Sequence, residues 1–321
     1  MEDDARPTLD DSVLPFQIES SGAMGRLVRM GPALTEILSQ HDYPPAISEL
    51  LGESLTLTAI LGAALKTDGK FILQTRSDGP VSFLVAQYNA PGNLRGYASF
   101  DAEAIAALGP DASKRGRLLG KGHLAMTIDP GPDMERYQGV VPLESGNLTA
   151  AADMYFRQSV QLPTFIKIAV ARHYEAAKGA TPGGWSWRAG GLMVQKLSQE
   201  GGFESDAPPE GNGHDDDEDW TRARLLAATV EDHELVDPAL TPERLLYRLF
   251  HEERVRAFRK IPVAAFCQCS RERVEQMLGG FSPSEIADMA QDDGHIRVTC
   301  EFCNRRYDFE ARDFIQDAPS P

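Results

Sequence analysis

Four thiols sit near the C-terminal end of this 321-residue chain, Cys267, Cys269, Cys300 and Cys303, and the rest of the chain carries none. They form two short pairs, "CQC" and "CEFC", separated by residues 270–299. A structural zinc ion takes four ligands in a tetrahedron, and two thiolate pairs on short turns supply that set. The same donors could hold an iron–sulfur cluster. A thioredoxin-like dithiol would follow the strand of a βαβ unit, which the local pattern lacks. A DNA-binding zinc module needs a basic face, yet Arg271, Arg273 and Arg297 stand against seven acids between Cys267 and Cys303.

The one-residue gap in Cys267–Cys269 adds a second chemistry. Zinc itself has no redox chemistry, but it holds its sulfurs as thiolates, the form that attacks peroxides and disulfides. Oxidation can close two local bridges, Cys267–Cys269 and Cys300–Cys303, which together remove every ligand. A ring across one intervening residue is strained and so readily reduced again. Structural zinc contributes on the order of 10–16 kcal/mol in small modules, whereas whole domains keep about 5–15 kcal/mol of net stability. Short bridges replace little of that, so the module should unfold once its metal is lost.

Several elements must position these thiols. Ser282-Pro283-Ser284-Glu285 is a capping box that opens a helix over "EIADMAQ". Gly294 supplies a turn, "HIRVTC" reads as a strand, and "RRYDF" can return as its hairpin partner. His295 is a possible further donor, but with four cysteines available it reads as a surface residue. Upstream, Thr241 and Pro242 open a helix with Leu245, Leu246, Leu249 and Phe250 on one face. Before it, "TRARLLAATVEDHELV" reads as a helix with a stripe of Leu225, Leu226 and Val230. Each of the two helices has one apolar side that needs covering.

The expected fold class is α+β: a mixed or antiparallel-sheet core domain with flanking helices, a helical linker and a small C-terminal zinc-binding module. Residues 1–200 form the core, with helices over "GPALTEILSQH" and "PPAISELLGESLTLTAILGAALK". Period-two runs follow in "KFILQTRS", "GPVSFLVAQYN", "NLRGYASF", "GHLAMTIDPG" and "ERYQGVVPL". "LTAAADMYFRQSVQLP" returns to helical spacing, and "TFIKIAVARHYE" and "GGWSWRAGGLMVQKL" to strand. Residues 201–220 are an acidic flexible loop too polar to offset their ordering entropy, 221–260 the linker, and 261–321 the cysteine module. His214, beside a run of acids, belongs to a solvated charge run rather than a cation site.

A net charge of −16 gives no drive toward nucleic acid. The acidic N-terminus lacks the features of a secretory signal, and Glu49 and Glu53 interrupt the most apolar segment. The expectation is a soluble cytoplasmic protein that neither binds nucleic acid nor enters a membrane, in a compartment that keeps thiols reduced.

The chain resembles the redox-regulated 33 kDa chaperonin family, heat-shock holdases. The likeness rests on "CQCSRER", "CEFCNRRYDF", "DYPPAISELLGESLTLTAILGAALK", "GPVSFLVAQY", "LRGYA", "YFRQSVQLPTFI" and "RAGGLMVQ". It implies an ATP-independent chaperone, not an enzyme, that is inactive with one zinc bound to Cys267, Cys269, Cys300 and Cys303. Oxidation to the two neighbouring disulfides would release the metal, unfold the linker around residues 221–260 and expose apolar surface to unfolding clients. Such proteins dimerise when oxidised and pass clients to ATP-dependent refolding chaperones. The acidic tract at 204–219 is longer than the family pattern leads one to expect.

Two other functions compete. A static zinc-module adaptor would hold a fixed partner whatever its redox state. An enzyme would need a site in the core, where "GRLLGKG" at Gly116 only superficially resembles a phosphate loop, with Gly122 in place of Ser or Thr. His41, His123 and His173 are isolated, and Trp185 and Trp187 alternate on a strand, suited to sheet packing or to clients.

Overall fold

The first element is a strand even though Pro15 lies within it: β1 (Ser12–Ile18) pairs antiparallel with β2 (Ala23–Met30). Neither strand is among the elements expected from the sequence. The computed structural model describes residues 10–65, 68–109, 116–131, 134–144, 146–177, 183–197 and 213–315, in two compact units, Met1–Ala265 and Phe266–Pro321.

In the first unit α1 (Pro32–Leu38) and α2 (Pro45–Gly62) follow, then the meander β3 (Lys70–Ser77), β4 (Val81–Asn89) and β5 (Asn93–Phe100). A short α3 (Ala102–Leu108) precedes β6 (Gly122–Asp129) and β7 (Tyr137–Leu143). Next, α4 (Leu148–Tyr155), extended by a wider π-type turn to Val160, leads into the long hairpin β8 (Thr164–Glu175) and β9 (Gly184–Gln195). The linker region holds α5 (Gly213–Ala228), α6 (Asp232–Val236) and α7 (Pro242–Phe250). Short strands β10 (Val255–Ala257), β11 (Ile261–Pro262) and β12 (Ala264–Ala265) end the unit.

These strands form two sheets. Sheet A has the order β10-β1-β2-β9-β8, with β11 also on β1, and sheet B the order β12-β5-β4-β3-β6-β7. Every pairing is antiparallel except that of β12 with β5. α2 lies between the sheets and touches both, which is why a helix so apolar on all sides is needed there. Two of its hydroxyls are satisfied within the helix, Ser54 donating to the Leu51 carbonyl and Thr56 to that of Gly52, while the buried Thr58 hydroxyl has no partner among the described residues. No helix among the described residues is long and apolar enough to cross a membrane.

Sheet A is buried on both faces. Val13, Val28, Met30, Ile168, Ala189 and Met193 face α2 and sheet B. Their neighbours Leu14, Leu27, Ala169, Leu192 and Val194, with Phe16 and Ile18, face the other way and pack against α5, α6 and α7.

The linker differs from expectation in three respects. Residues 213–220, expected in the acidic loop, belong to α5, while 201–212 lie outside the described residues. The expected single helix over 221–236 breaks into α5 and α6 near Val230. α5 packs through Ala223, Ala227 and the partly buried Leu226, with Val230 buried just beyond its end, while Leu225 is 55% exposed. Small residues let the helix lie close to the sheet, and the bulkier Leu225 turns outward. α7 packs as expected, with Leu245, Leu246, Leu249 and Phe250 all buried.

The second unit holds α8 (Arg271–Leu278), α9 (Pro283–Met289), the hairpin β13 (His295–Thr299) and β14 (Arg306–Glu310), and a final turn of helix α10 (Arg312–Ile315). The Ser282–Glu285 capping box is formed, as the sequence led us to expect. Its core is small: Leu278, Ile286, Ile296, Tyr307, Phe309 and Ala311.

Candidate metal centre and the covered sheet face

Two turns present the four cysteines. Cys267 and Cys269 immediately precede α8, whose N-cap is Ser270, and Arg273 donates back to the Gln268 carbonyl at 2.7 Å. Cys300 and Cys303 lie on the turn joining β13 to β14. That turn is closed by Cys300 N–H to the Arg305 carbonyl (2.9 Å) and Asn304 N–H to the Cys300 carbonyl (2.8 Å). Asn304 takes a left-handed backbone (φ 53°), which asparagine tolerates well. Arg271 joins the two halves, donating to the Asp308 carbonyl at 2.8 Å and lying over the Phe309 ring.

The four sulfurs lie within 4.8 Å of one another, all as free thiols. The Cys267–Cys300 sulfurs are 3.7 Å apart and the Cys269–Cys303 sulfurs 3.2 Å. A tetrahedron with metal–sulfur bonds of about 2.3 Å puts its sulfurs about 3.8 Å apart; the 3.7 Å pair meets that spacing and the 3.2 Å pair is tighter, and four thiols gathered this closely are a donor set of the kind that zinc takes. Among the described residues this is the one place where three or more His, Cys, Asp or Glu ligand atoms converge.

The thiols are not equivalent. Burial raises the Cys269 pKa, but the hydrogen bond from the Tyr307 hydroxyl (3.2 Å) and those of the neighbouring thiols outweigh it and bring the value down to about 7. Burial pushes Cys300 and Cys303 up. His295 is not part of the cluster. It pairs with Asp308, which raises its pKa through their hydrogen bond.

The other sequence candidates do not assemble. The run at Gly116 forms a turn whose Lys121 N–H is held by the Asp78 carboxylate at 2.6 Å. Strand β6 follows it, so it lacks the helix N-terminus that cradles a phosphate. His41 lies between the Tyr43 and Tyr97 rings, while His123 and His173 lie on strands in different sheets. Trp187 packs on the core and Trp185 is exposed. The side chain of His214 lies outside the described residues.

Cations of sheet A that the sequence reading missed hold the linker of the first unit in place. Arg29 donates to the Glu234 carbonyl at 2.9 Å and also to that of Asp237. Arg188 donates to the Val236 carbonyl at 2.8 Å and pairs with Asp10 at 2.6 Å. Lys167 reaches the Val230 carbonyl at 2.5 Å and the Asp232 carboxylate at 3.2 Å. All three thereby cap carbonyls at the ends of α5 and α6, where helices leave acceptors free. Gly190 forms the floor: a Cβ there would stand 2.1 Å from the Leu235 carbonyl oxygen. The Gly190-Gly191 pair inside a strand pattern was the available signal of a close backbone approach. At the far end, Glu253 accepts from Arg222 of α5 at 2.7 Å and from Ser20 of the β1–β2 turn.

The model of the Hsp33 protein family matches residues 11–310. The chain belongs to the Hsp33 family. A 33 kDa chaperonin of Caulobacter vibrioides is 42% identical over 93% of this chain and 94% of its own length. Another, of Shewanella sediminis, is 36% identical over 94% of each. The crystal structure of the Thermotoga maritima 33 kDa chaperonin superposes with a TM-score of 0.74, covering 95% of this chain and 98% of that one at 21% identity, and so shares the fold. Hsp33 is a chaperone family and not an enzyme family. In this member the four cysteines form a cluster able to hold a metal.

Proposed function

We propose that this Hsp33 protein is a redox-regulated, ATP-independent holdase, silent when reduced and metal-bound and active when oxidised. Support comes from the division of sheet A into an inner face covered by α2 and an outer face covered by α5, α6 and α7. The linker presents six fully buried large side chains, Val230, Leu235, Leu245, Leu246, Leu249 and Phe250. Each contributes roughly 1.5–3 kcal/mol.

Cys267, Cys269, Cys300 and Cys303 would hold one zinc ion. When bound, zinc would keep the four sulfurs as thiolates and supply the folding energy that a core this small lacks. Within each neighbouring pair, Cys267–Cys269 and Cys300–Cys303, two thiolates give two electrons to hydrogen peroxide. With two protons the peroxide leaves as two waters, and one S–S bond forms. No donor then remains, and the module loses its fold. The chain runs from α7 through β10–β12, short strands paired with β1 and β5, into Cys267, so loss of the module would have to loosen these two- and three-residue strands before it reached the linker.

The freed outer face would capture unfolding proteins under oxidative or heat stress. Homodimerisation of the oxidised chain, transfer of clients to ATP-dependent refolding chaperones and a cytoplasmic location belong to the same reading. The test pairs zinc content and thiol count, before and after peroxide with mild heating, with hydrogen exchange over residues 213–303 and suppression of client aggregation. Zinc and four thiols should disappear together with linker protection, and suppression should then begin. Equal suppression by reduced protein, or protection that survives metal loss, would refute the switch.

A further inference from the structure

The outer face of sheet A is organised in rows, as its strand register shows. Phe16, Gly25, Val194 and Phe165 lie side by side, and next to them Leu14, Leu27, Leu192 and Lys167. Then come Ser12, Arg29, Gly190 and Ala169, and beyond them Arg188 opposite Ala171. One end of the face is therefore apolar, while the other carries Lys167, Arg29 and Arg188 around the glycine floor. That end already holds one carboxylate of the core, since Arg188 pairs with Asp10 at 2.6 Å. From the linker its donors take the main-chain carbonyls of Val230, Glu234, Val236 and Asp237 and one carboxylate, that of Asp232.

We propose that this face is a receptor for amphipathic helices whose C-terminal turn carries carboxylates, and that client segments of this class take the place of the released linker. The inference rests on the holdase reading above and names the cargo of that site. A helix gathers its free carbonyls at its last turn, whereas an extended chain spreads them along both edges. Gly190 lets a backbone come close enough for the guanidinium groups to reach it. The apolar rows then receive the stripe that precedes the turn, as they receive Leu235 and the face of α7 in the resting protein. Acids in a last helical turn oppose the helix dipole, so segments that carry them have most to gain from Lys167 and Arg29, the two cations of the face that no core carboxylate among the described residues neutralises by direct contact.

The test uses the oxidised full-length chain and two synthetic amphipathic helical peptides with the same apolar stripe. One ends in an Asp-Asp turn with a free carboxylate, and the other ends in Lys-Lys and is amidated, with its acids at the N-terminal end. The acid-ended peptide should bind about tenfold tighter or more at low salt, as one charge-assisted hydrogen bond allows. That preference should shrink in Lys167→Gln, a half-exposed position, and in Arg29→Gln, with the basic-ended peptide still binding both variants. Equal affinity of the two peptides for the wild-type chain would overturn the proposal. Binding of neither peptide while client aggregation is still suppressed would also overturn it and leave the holdase reading standing. Failure of suppression itself would count against that earlier reading.

Discussion

Arg29 donates from its guanidinium to the main-chain carbonyl of Glu234 at 2.9 Å, across 205 residues of chain. A side chain of the permanent core thus holds the backbone of a helix that the proposed mechanism must release. Main-chain acceptors do not depend on linker side chains, so the hold tolerates sequence change in α6 but not the loss of Arg29.

Replacing Arg29 with Met should therefore loosen the linker in the reduced protein. Two carbonyls lose their donor, and an unmatched buried polar group costs about 1–3 kcal/mol. Hydrogen exchange over residues 235–250 should quicken by roughly ten- to hundredfold, while β4 and β5 stay protected. Unchanged exchange would show that the apolar stripe alone holds the helices.

Gly190→Ala tests the close approach from the other side. The added methyl would meet the Leu235 carbonyl oxygen at 2.1 Å, so α6 must lift from the sheet. Overpacking of this kind costs about 1–3 kcal/mol. Reduced protein should bind an apolar dye more strongly than wild type, with its zinc still in place.

The Glu253 contact makes linker docking pH-dependent. The hydrogen bond from Arg222, followed by opposing burial and the bond from Ser20, leaves its pKa below the ordinary 4.5. A depressed carboxyl contributes stability that is fully present above 4.5 and is lost as pH falls through the lower, folded-state value. Protection of α5 should fall on acidification below 4.5, and Glu253→Gln should be less protected at neutral pH with that slope removed. An identical acid profile in the variant would assign the slope elsewhere.

Chelation of the reduced protein should unfold residues 266–315 without touching sheets A and B. A core of six buried side chains cannot replace the roughly 10–16 kcal/mol of apparent folding energy that structural zinc contributes. Cys269→Ser should reproduce the effect. Dispersed amide signals from β13 and β14 after metal removal would mean that the module folds unaided.

Peptide mapping of the oxidised chain should find Cys267 joined to Cys269 and Cys300 to Cys303. Close sulfur contacts in the resting cluster also run across the pairs, 3.2 Å for Cys269–Cys303 and 3.7 Å for Cys267–Cys300. Proximity thus does not select the local bridges. They follow if the module opens between the first bond and the second. Crossed bridges would mean that it closes while still folded.

The cysteine cluster was legible in the sequence because its chemistry is local: four thiols, two turns and a capping box between them. α7 was legible for the same reason, since Thr241, Pro242 and a clean apolar stripe lie within a few turns of chain. β1 and β2 were not. "SVLPFQI" and "AMGRLVRM" are buried on both sides, so they lack the alternation that marks a half-exposed strand, and Pro15 argued against one of them. In the stripe expected of α5 only Leu225 was misplaced: Leu226 and Val230 do pack on the sheet, but Ala223 and Ala227 lie closest to it and Leu225 turns outward. Arg29, Arg188 and Lys167 carry no motif, because their partners are backbone atoms far along the chain.

Val13 and Leu14 are adjacent in β1, yet each belongs to a different apolar interior. A strand arranged in this way can be stripped on one side while its hydrogen-bonded ladder and its other side stay intact. Exposing greasy surface then need not mean denaturing the scaffold that displays it, and the change can be reversed by laying three helices back down.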